Sequence, residues 1–357
     1  MFQIDDITDQ VLANCNVSDA QYAGLYSICG LALRLRDLFK WENGLDPWIE
    51  KDPAEVIKWI GNKEETWEKL IEKDFRDIAV FGRQFDPFDV KGINAILEPR
   101  GYIYGGGYAR SLKPSFFLAE IEDKKTINGV TVFILGRELA RDLLTVPAMS
   151  QDNCIYVRQE SSRFFLWDKI FYVNKSGRYA LRFGLENYGL KEASPEELHR
   201  NLSRIAADET DKYIYHELGE IQETVFDREI WREIIATFPH TPIELFVRTI
   251  KDLLADTNEY GTLRHIIRER KTSSLAFYVA FLESFSKKFF PQLIEAFDEF
   301  ARTRNWRLIE LAVDSGYNAA KSCAEALINI YRTGKREDDM KWVENEIETK
   351  FLSCFLS

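Results

Sequence analysis

The chain has 357 residues and carries 47 Lys/Arg against 58 Asp/Glu, a formal charge of −11 that argues against a sequence-independent grip on a nucleic-acid backbone, which is largely electrostatic. Hydrophobic residues make up 45% and aromatics 13%, enough apolar surface to offset ordering entropy without disulfide staples, so a disordered chain is excluded. The length exceeds what one core comfortably supports, and two domains are expected, 1–190 and 191–357.

The opening segment, MFQIDDITDQ, lacks the basic and apolar regions of a secretory signal, and the longest apolar run, LAFYVAFL at 275–282, is too short to span a bilayer. Cys15, Cys29, Cys154, Cys323 and Cys354 are odd in number, far apart and without a C-x-x-C pair, as in a reducing compartment. The expectation is a cytoplasmic protein with no membrane partner.

Residues 1–98 read as helical. SDAQYAGLYSICGLALRLRDLFKW opens with Ser18 and Gln21 as a capping pair and repeats apolar residues at helical spacing from Leu25 to Leu38. DPAE (Asp52 to Glu55) combines a capping side chain, a proline at the first helical position and a glutamate at the third, and so starts a further helix at 53–60, with another at 62–80. Trp41, Trp48, Trp59 and Trp67 read as packing between these helices.

From 100 to 136 the grammar changes to Phe, Tyr, Val, Ile and Thr between glycines, with an Asn128-Gly129 turn, which predicts a small antiparallel sheet. Helices are expected again at 137–146 and 155–173, followed by a connector at 174–194. The segment 100–190 holds 13 Lys/Arg against 9 Asp/Glu, so an excess of positive charge sits inside an acidic chain.

Beyond Ser194 the reading is helical throughout, at 195–224, 228–238, 242–256, 262–287, 291–303, 305–314, 317–333 and 336–353, with SPEE (from Ser194) and TPIE (from Thr241) as start signals and Gly334 as a stop. No repeat period stands out, which favours an irregular bundle over a solenoid. The fold class is mainly α with a small antiparallel β element: an α+β N-terminal half and an all-α helical-bundle C-terminal half.

All four histidines fall between 199 and 265. In DKYIYHELGEIQETVFD (211–227), His216 and Glu220 stand one helical turn apart, with Glu209 and Glu223 on the same stripe, the spacing a helix-held metal ion requires. It is not the zinc-protease H-E-x-x-H, because Glu220 occupies the second histidine's place. Ile214, Leu218, Ile221 and Val225 form the opposite flank, so an amphipathic helix would turn His216 and the glutamates to solvent. His240 falls just outside the helix begun by TPIE, leaving Glu244 a capping role; Glu196 and His199 give one copy of a di-iron spacing that sites use in pairs; and His265 sits in a basic stripe, LRHIIRERK.

GGGYAR (105–110), with Arg110 and Lys113, offers a backbone nest for an anion, though glycines needed beside strands explain it as well. RQESSRFFLWDKIF (158–171) places Arg158, Arg163 and Lys169 among aromatics, which suits a stacked anionic ligand or a core-facing stripe with snorkelling cations. No cysteine neighbours a histidine and no serine sits in a G-x-S-x-G elbow, so nucleophilic hydrolysis has no support.

The stretches LYSICGLALRLRDLFKWE (25–42), YHELGE (215–220) and KDLLADTNEYGTL (251–263) resemble an uncharacterised family of bacterial proteins along most of the chain. The resemblance implies a bacterial cytosolic protein and carries no assigned activity, cofactor or substrate. Three functional expectations follow from the residues, the third being a nucleotide or phosphate ligand on the basic, aromatic middle third of the chain. The first is a non-catalytic helical binding or interaction module with a protein or small-molecule partner. The second is a helical metalloprotein or metal-dependent oxidoreductase in which His216, Glu220, Glu209 and Glu223 hold iron or zinc, iron suiting mixed imidazole and carboxylate ligands.

Overall fold

The computed structural model describes residues 4–109, 112–190 and 194–353. The chain divides into two compact units, Met1–Asp168 and Lys169–Ser357. Arg110 of the glycine-rich segment and Cys354 lie outside the described residues.

The first unit opens with α1 (Ile4–Tyr22), α2 (Ile28–Glu42) and α3 (Pro53–Glu68). Ser18 does not start a helix. It is buried within α1, where its hydroxyl donates to the Pro114 carbonyl and accepts from Lys113, and the true cap of α2 is Ser27, whose side chain accepts from Gly30 N. Asp52 caps α3 as expected, but α3 runs through Gly61 as one helix and stops at Glu68, well short of 80. A hairpin of β1 (Ile78–Val80) and β2 (Arg83–Phe85) follows, then α4 (Val90–Leu97).

The sheet is larger than the sequence suggests. β3 (Tyr102–Tyr108), β4 (Pro114–Ile127), β5 (Val130–Arg141), β6 (Ala148–Gln151) and β7 (Cys154–Arg158) align in the order β3-β4-β5-β7-β6, antiparallel except for the parallel β5–β7 pair. Asn128 (φ 49°) and Gly129 (φ 78°) make the tight β4–β5 turn, the left-handed geometry that Asn-Gly favours. Residues 137–141 and 155–158, expected as helix, are strand because each has a partner in register: Glu138 with Ala119, and Tyr156 with Phe133 and Met149. Tertiary pairing overrides local propensity at these short segments.

Gly105, Gly106 and Gly107 lie inside β3 rather than in a nest. A Cβ on Gly105 would fall 1.9 Å from the Phe117 ring, so the missing side chain is space that the ring occupies. The core beneath the sheet gathers Val11, Ile78, Ile93, Tyr104, Phe116 and Leu118, and Asn94 satisfies both backbone groups of Tyr104 at 2.8 Å. Lys113 is buried with Asp19 (3.1 Å) and Asp142 (3.0 Å) as partners, and Arg158 grips Glu138 through two 2.9 Å bonds. Paired in this way, neither cation is available to an anionic ligand. The last helix of the unit, α5 (Gln159–Phe171), contains the division between the units.

The second unit is all helix among the described residues: α6 (Arg178–Glu186), α7 (Pro195–Gln222), α8 (Arg228–Thr237), α9 (Pro242–Thr257), α10 (Thr262–Arg268), α11 (Thr272–Ala280), α12 (Ser284–Phe289), α13 (Pro291–Thr303), α14 (Trp306–Glu337) and α15 (Met340–Ile347). The connector expected at 174–194 contains α6, whose Ala180, Leu181 and Phe183 are buried. The single helix expected at 262–287 is three short ones, and the two expected at 305–333 are one. Gly316 lies inside α14, where a Cβ would fall 2.3 Å from the Phe290 ring, and the helix passes Gly334 to end at Asp338 in the left-handed region. Among the described residues, no helix is long and apolar enough to cross a membrane.

Candidate metal centre

Two capped helices bring the site together. Ser194 and Glu197 form a reciprocal capping box at the start of α7, and Thr241 accepts from Glu244 N at the start of α9 while Glu244 accepts from His240 N at 2.7 Å. His240 therefore stands outside the helix, as its sequence context implies.

α7 and α9 meet at Gly219. A Cβ there would lie 2.1 Å from the carbonyl oxygen of Ala255, so only glycine permits this approach. Asn258 donates to the Gly219 carbonyl at 2.9 Å, and Thr262 to that of Lys212 at 3.1 Å. YHELGE and KDLLADTNEYGTL thus form the two sides of one seam.

One turn before Gly219, His216 Nδ1 bonds Asp256 Oδ1 at 2.9 Å, and the other Asp256 oxygen accepts from the Tyr278 hydroxyl of α11 at 2.8 Å. His216 Nε2 stands 3.8 Å from Glu220 Oε1, while Lys251 Nζ is 2.5 Å from Glu220 Oε2. Asp252, one turn before Asp256, completes the group: one ligand atom from each of His216, Glu220 and Asp252 lies within 4.8 Å of the others. The imidazole is 33% exposed, so it is neither sealed in the interior nor free in bulk water.

Burial disfavours charge on His216, but Asp256, Glu220 and Glu217 outweigh it and hold the imidazole protonated well above the usual histidine range. Burial would raise Glu220, yet Lys251 and His216 keep it low. Asp252 is exposed as a residue, but crowding around its carboxyl, opposed by His216, pushes it up to about 6.

The expectation that the stripe faces solvent fails, because α7 is covered on more than one side. Glu209 is fully buried, accepting from Ser274 at 2.6 Å and pairing with Lys212. Glu223 ends α7, where it accepts from Val225 N at 2.6 Å and from Asn258. The structure brings His216 and Glu220 together and commits Glu209 and Glu223 to these other partners. His265 is also buried rather than in a surface stripe, stacked on Tyr215 with ring centroids 3.9 Å apart.

Lys251, Asp252, Asp256 and Tyr278 complete the site and were missed in the sequence. Asp252 and Asp256 repeat the one-turn spacing of His216 and Glu220, a signal that gains meaning only once α7 and α9 are known to be neighbours.

The fold and site define a two-part protein, an α+β unit and a helical unit whose α7–α9 seam carries a histidine–carboxylate cluster. The chain matches the models of a family of unknown function (DUF6866), its N-terminal domain over residues 6–158 and its C-terminal domain over 163–350, and so belongs to that family. No curated protein and no solved structure matches it.

Proposed function

We propose that the protein is a metal-binding module whose α7–α9 seam takes a divalent transition-metal ion through His216 Nε2, Glu220 and Asp252. The observation that carries this reading is the second support around the imidazole. With Nδ1 tied to Asp256, and Asp256 tied to Tyr278, the ring is oriented with Nε2 toward Glu220 and with Asp252 in the same cluster, and a second hydrogen bond of this kind commonly backs a metal-ligating histidine. One imidazole with two carboxylates suits iron, and zinc is the next choice. Binding would displace the proton held on His216 and move Lys251 off Glu220.

A second reading, an interaction module without metal, is favoured by Lys251, which already supplies Glu220 with a cation at 2.5 Å. Elemental analysis of purified protein separates the two, with His216→Ala and Asp252→Asn variants alongside. The metal reading expects near-stoichiometric iron or zinc in the parent and loss in both variants. Equal metal content in all three, or none in the parent after metal is supplied, would leave the interaction module.

A further inference from the structure

Part of the positive charge of the middle of the chain lies on the surface of the second unit. From Lys169 to Leu185 there are four Lys/Arg (Lys169, Lys175, Arg178, Arg182) and no Asp/Glu, and Lys287 and Lys288 lie in a second acid-free stretch that ends before Glu295. The two stretches adjoin. Lys287 donates to Ser176 Oγ at 2.6 Å, Lys169 pairs with Glu283, and Asn174, Lys175, Ser176 and Lys287 line one open cleft. Lys175, Arg178 and Arg182 are exposed.

The same segment of the chain shows aromatic rings to water. Phe171 is 64% exposed, Tyr172 49% and Tyr179 46%, in a chain whose other Phe rings are mostly buried. Phe171 and Tyr172 stand edge to face with centroids 5.0 Å apart. Burying such rings in water-excluding contact is favourable, and leaving them exposed forgoes that gain.

We propose that this patch, from Phe171 to Arg182 with Lys287 and Lys288, is a contact surface for single-stranded nucleic acid. Cations along a groove neutralise phosphates, and exposed rings give unpaired bases a face to stack on. A duplex keeps its bases stacked on each other and has no use for the rings. Anionic lipid would also attract cations beside exposed rings, and vesicles are therefore one arm of the experiment. A free mononucleotide needs an enclosing pocket that buries most of its surface, and this cleft is open. The overall charge of −11 disfavours a grip by the surface at large, and so confines the contact to this locally basic face.

The experiment is fluorescence anisotropy of a short labelled oligonucleotide of mixed sequence, with the full chain, over a series of salt concentrations. Expected is binding at low salt that weakens steeply as salt rises. Lys175→Glu with Arg178→Glu should weaken it roughly tenfold or more and flatten the salt dependence. Phe171→Ala with Tyr172→Ala should weaken it roughly tenfold with the salt dependence unchanged, which isolates stacking from charge. All four positions are exposed, and circular dichroism checks that each variant folds. The proposal is overturned by no binding at low salt, by binding as tight as the parent's in either variant, by a duplex binding as well as the single strand, or by anionic phospholipid vesicles binding where the oligonucleotide does not.

Discussion

His216 and Asp256, forty residues apart in sequence, share a 2.9 Å hydrogen bond across the seam of α7 and α9, and the Asp256 carboxylate is itself held by Tyr278. The chain orients this imidazole from behind, through a side chain that would not itself touch a bound ion.

Asp256→Asn tests that support. In chelator-treated protein the variant should lower the His216 pKa, because it removes the strongest favourable charge; the shift is read from the imidazole resonances in an NMR titration. The folded value lies above the ordinary histidine value of 6.5, so the stabilisation is fully present below that pH and is lost as pH rises through the raised value. The parent should exceed the variant by about 1–2 kcal/mol near pH 6, a range reduced for the partial exposure of the ring, with the gap narrowing on the alkaline side. A gap that widens with pH contradicts this assignment.

Gly219→Ala and Gly61→Ala form a contrasting pair. Both glycines lie within helices, where alanine is intrinsically better by about 1 kcal/mol. Nothing lies within 4 Å of a Cβ at Gly61, so that variant should be more stable by about 0.5–1 kcal/mol. At Gly219 the Ala255 carbonyl stands 2.1 Å from the new Cβ, and forcing the helices apart should cost about 1–3 kcal/mol, more than the propensity gain. Urea midpoints moving in opposite directions are expected. Gly219→Ala should also weaken metal uptake if the seam binds an ion.

What the sequence disclosed and what it hid divide along the range of the interactions involved. The starts of α3, α7 and α9 were legible because a cap, a proline and a glutamate act within four residues. The Asn128-Gly129 turn was legible for the same reason. Residues 137–141 and 155–158 read as helix from sequence because their strand identity comes from partners such as Ala119 and Phe133, distant in sequence. At the site, the His216–Glu220 pair was visible as a one-turn spacing. Helical periodicity, however, assumes one buried face, and it sent Glu209 and Glu223 to solvent although both are buried under neighbouring segments. Asp252 and Asp256 could be joined to His216 only through the packing at Gly219.

Lys113→Met should be among the most damaging single changes in the first unit. It leaves Asp19 and Asp142, both buried, without their shared cation, and breaking a buried ion pair from one side costs about 3–5 kcal/mol. Adding Asp19→Asn to Lys113→Met should recover part of the loss by removing one stranded charge. In the parent, burial pushes Asp19 up to about 7, with Lys113 opposing and Asp142 reinforcing. A raised folded value means that its contribution is largest below its ordinary 3.8 and declines as pH climbs through about 7. Denaturation of the parent and of Asp19→Asn at pH values across that window should show the parent losing ground as pH rises.

Asp211 has the opposite sign and contributes to acid behaviour in the second unit. His265 Nε2 stands 3.6 Å from its carboxylate and Lys271 Nζ 2.6 Å, and His265 first, then Lys271, hold it well below its ordinary 3.8 against the effect of burial. A depressed folded value gives stability that is present above 3.8 and is lost as pH falls toward the folded value. Because the carboxylate is 36% exposed, solvent screening limits the contribution to about 1 kcal/mol. Asp211→Asn should therefore be less stable than the parent near neutrality, with the two converging as the pH is taken down through about 3. Lys271→Met should show the same convergence with a smaller gap at neutrality, since His265 remains in place. Parallel urea midpoints across that range for parent and Asp211→Asn would mean that the carboxylate is not held by these partners in solution.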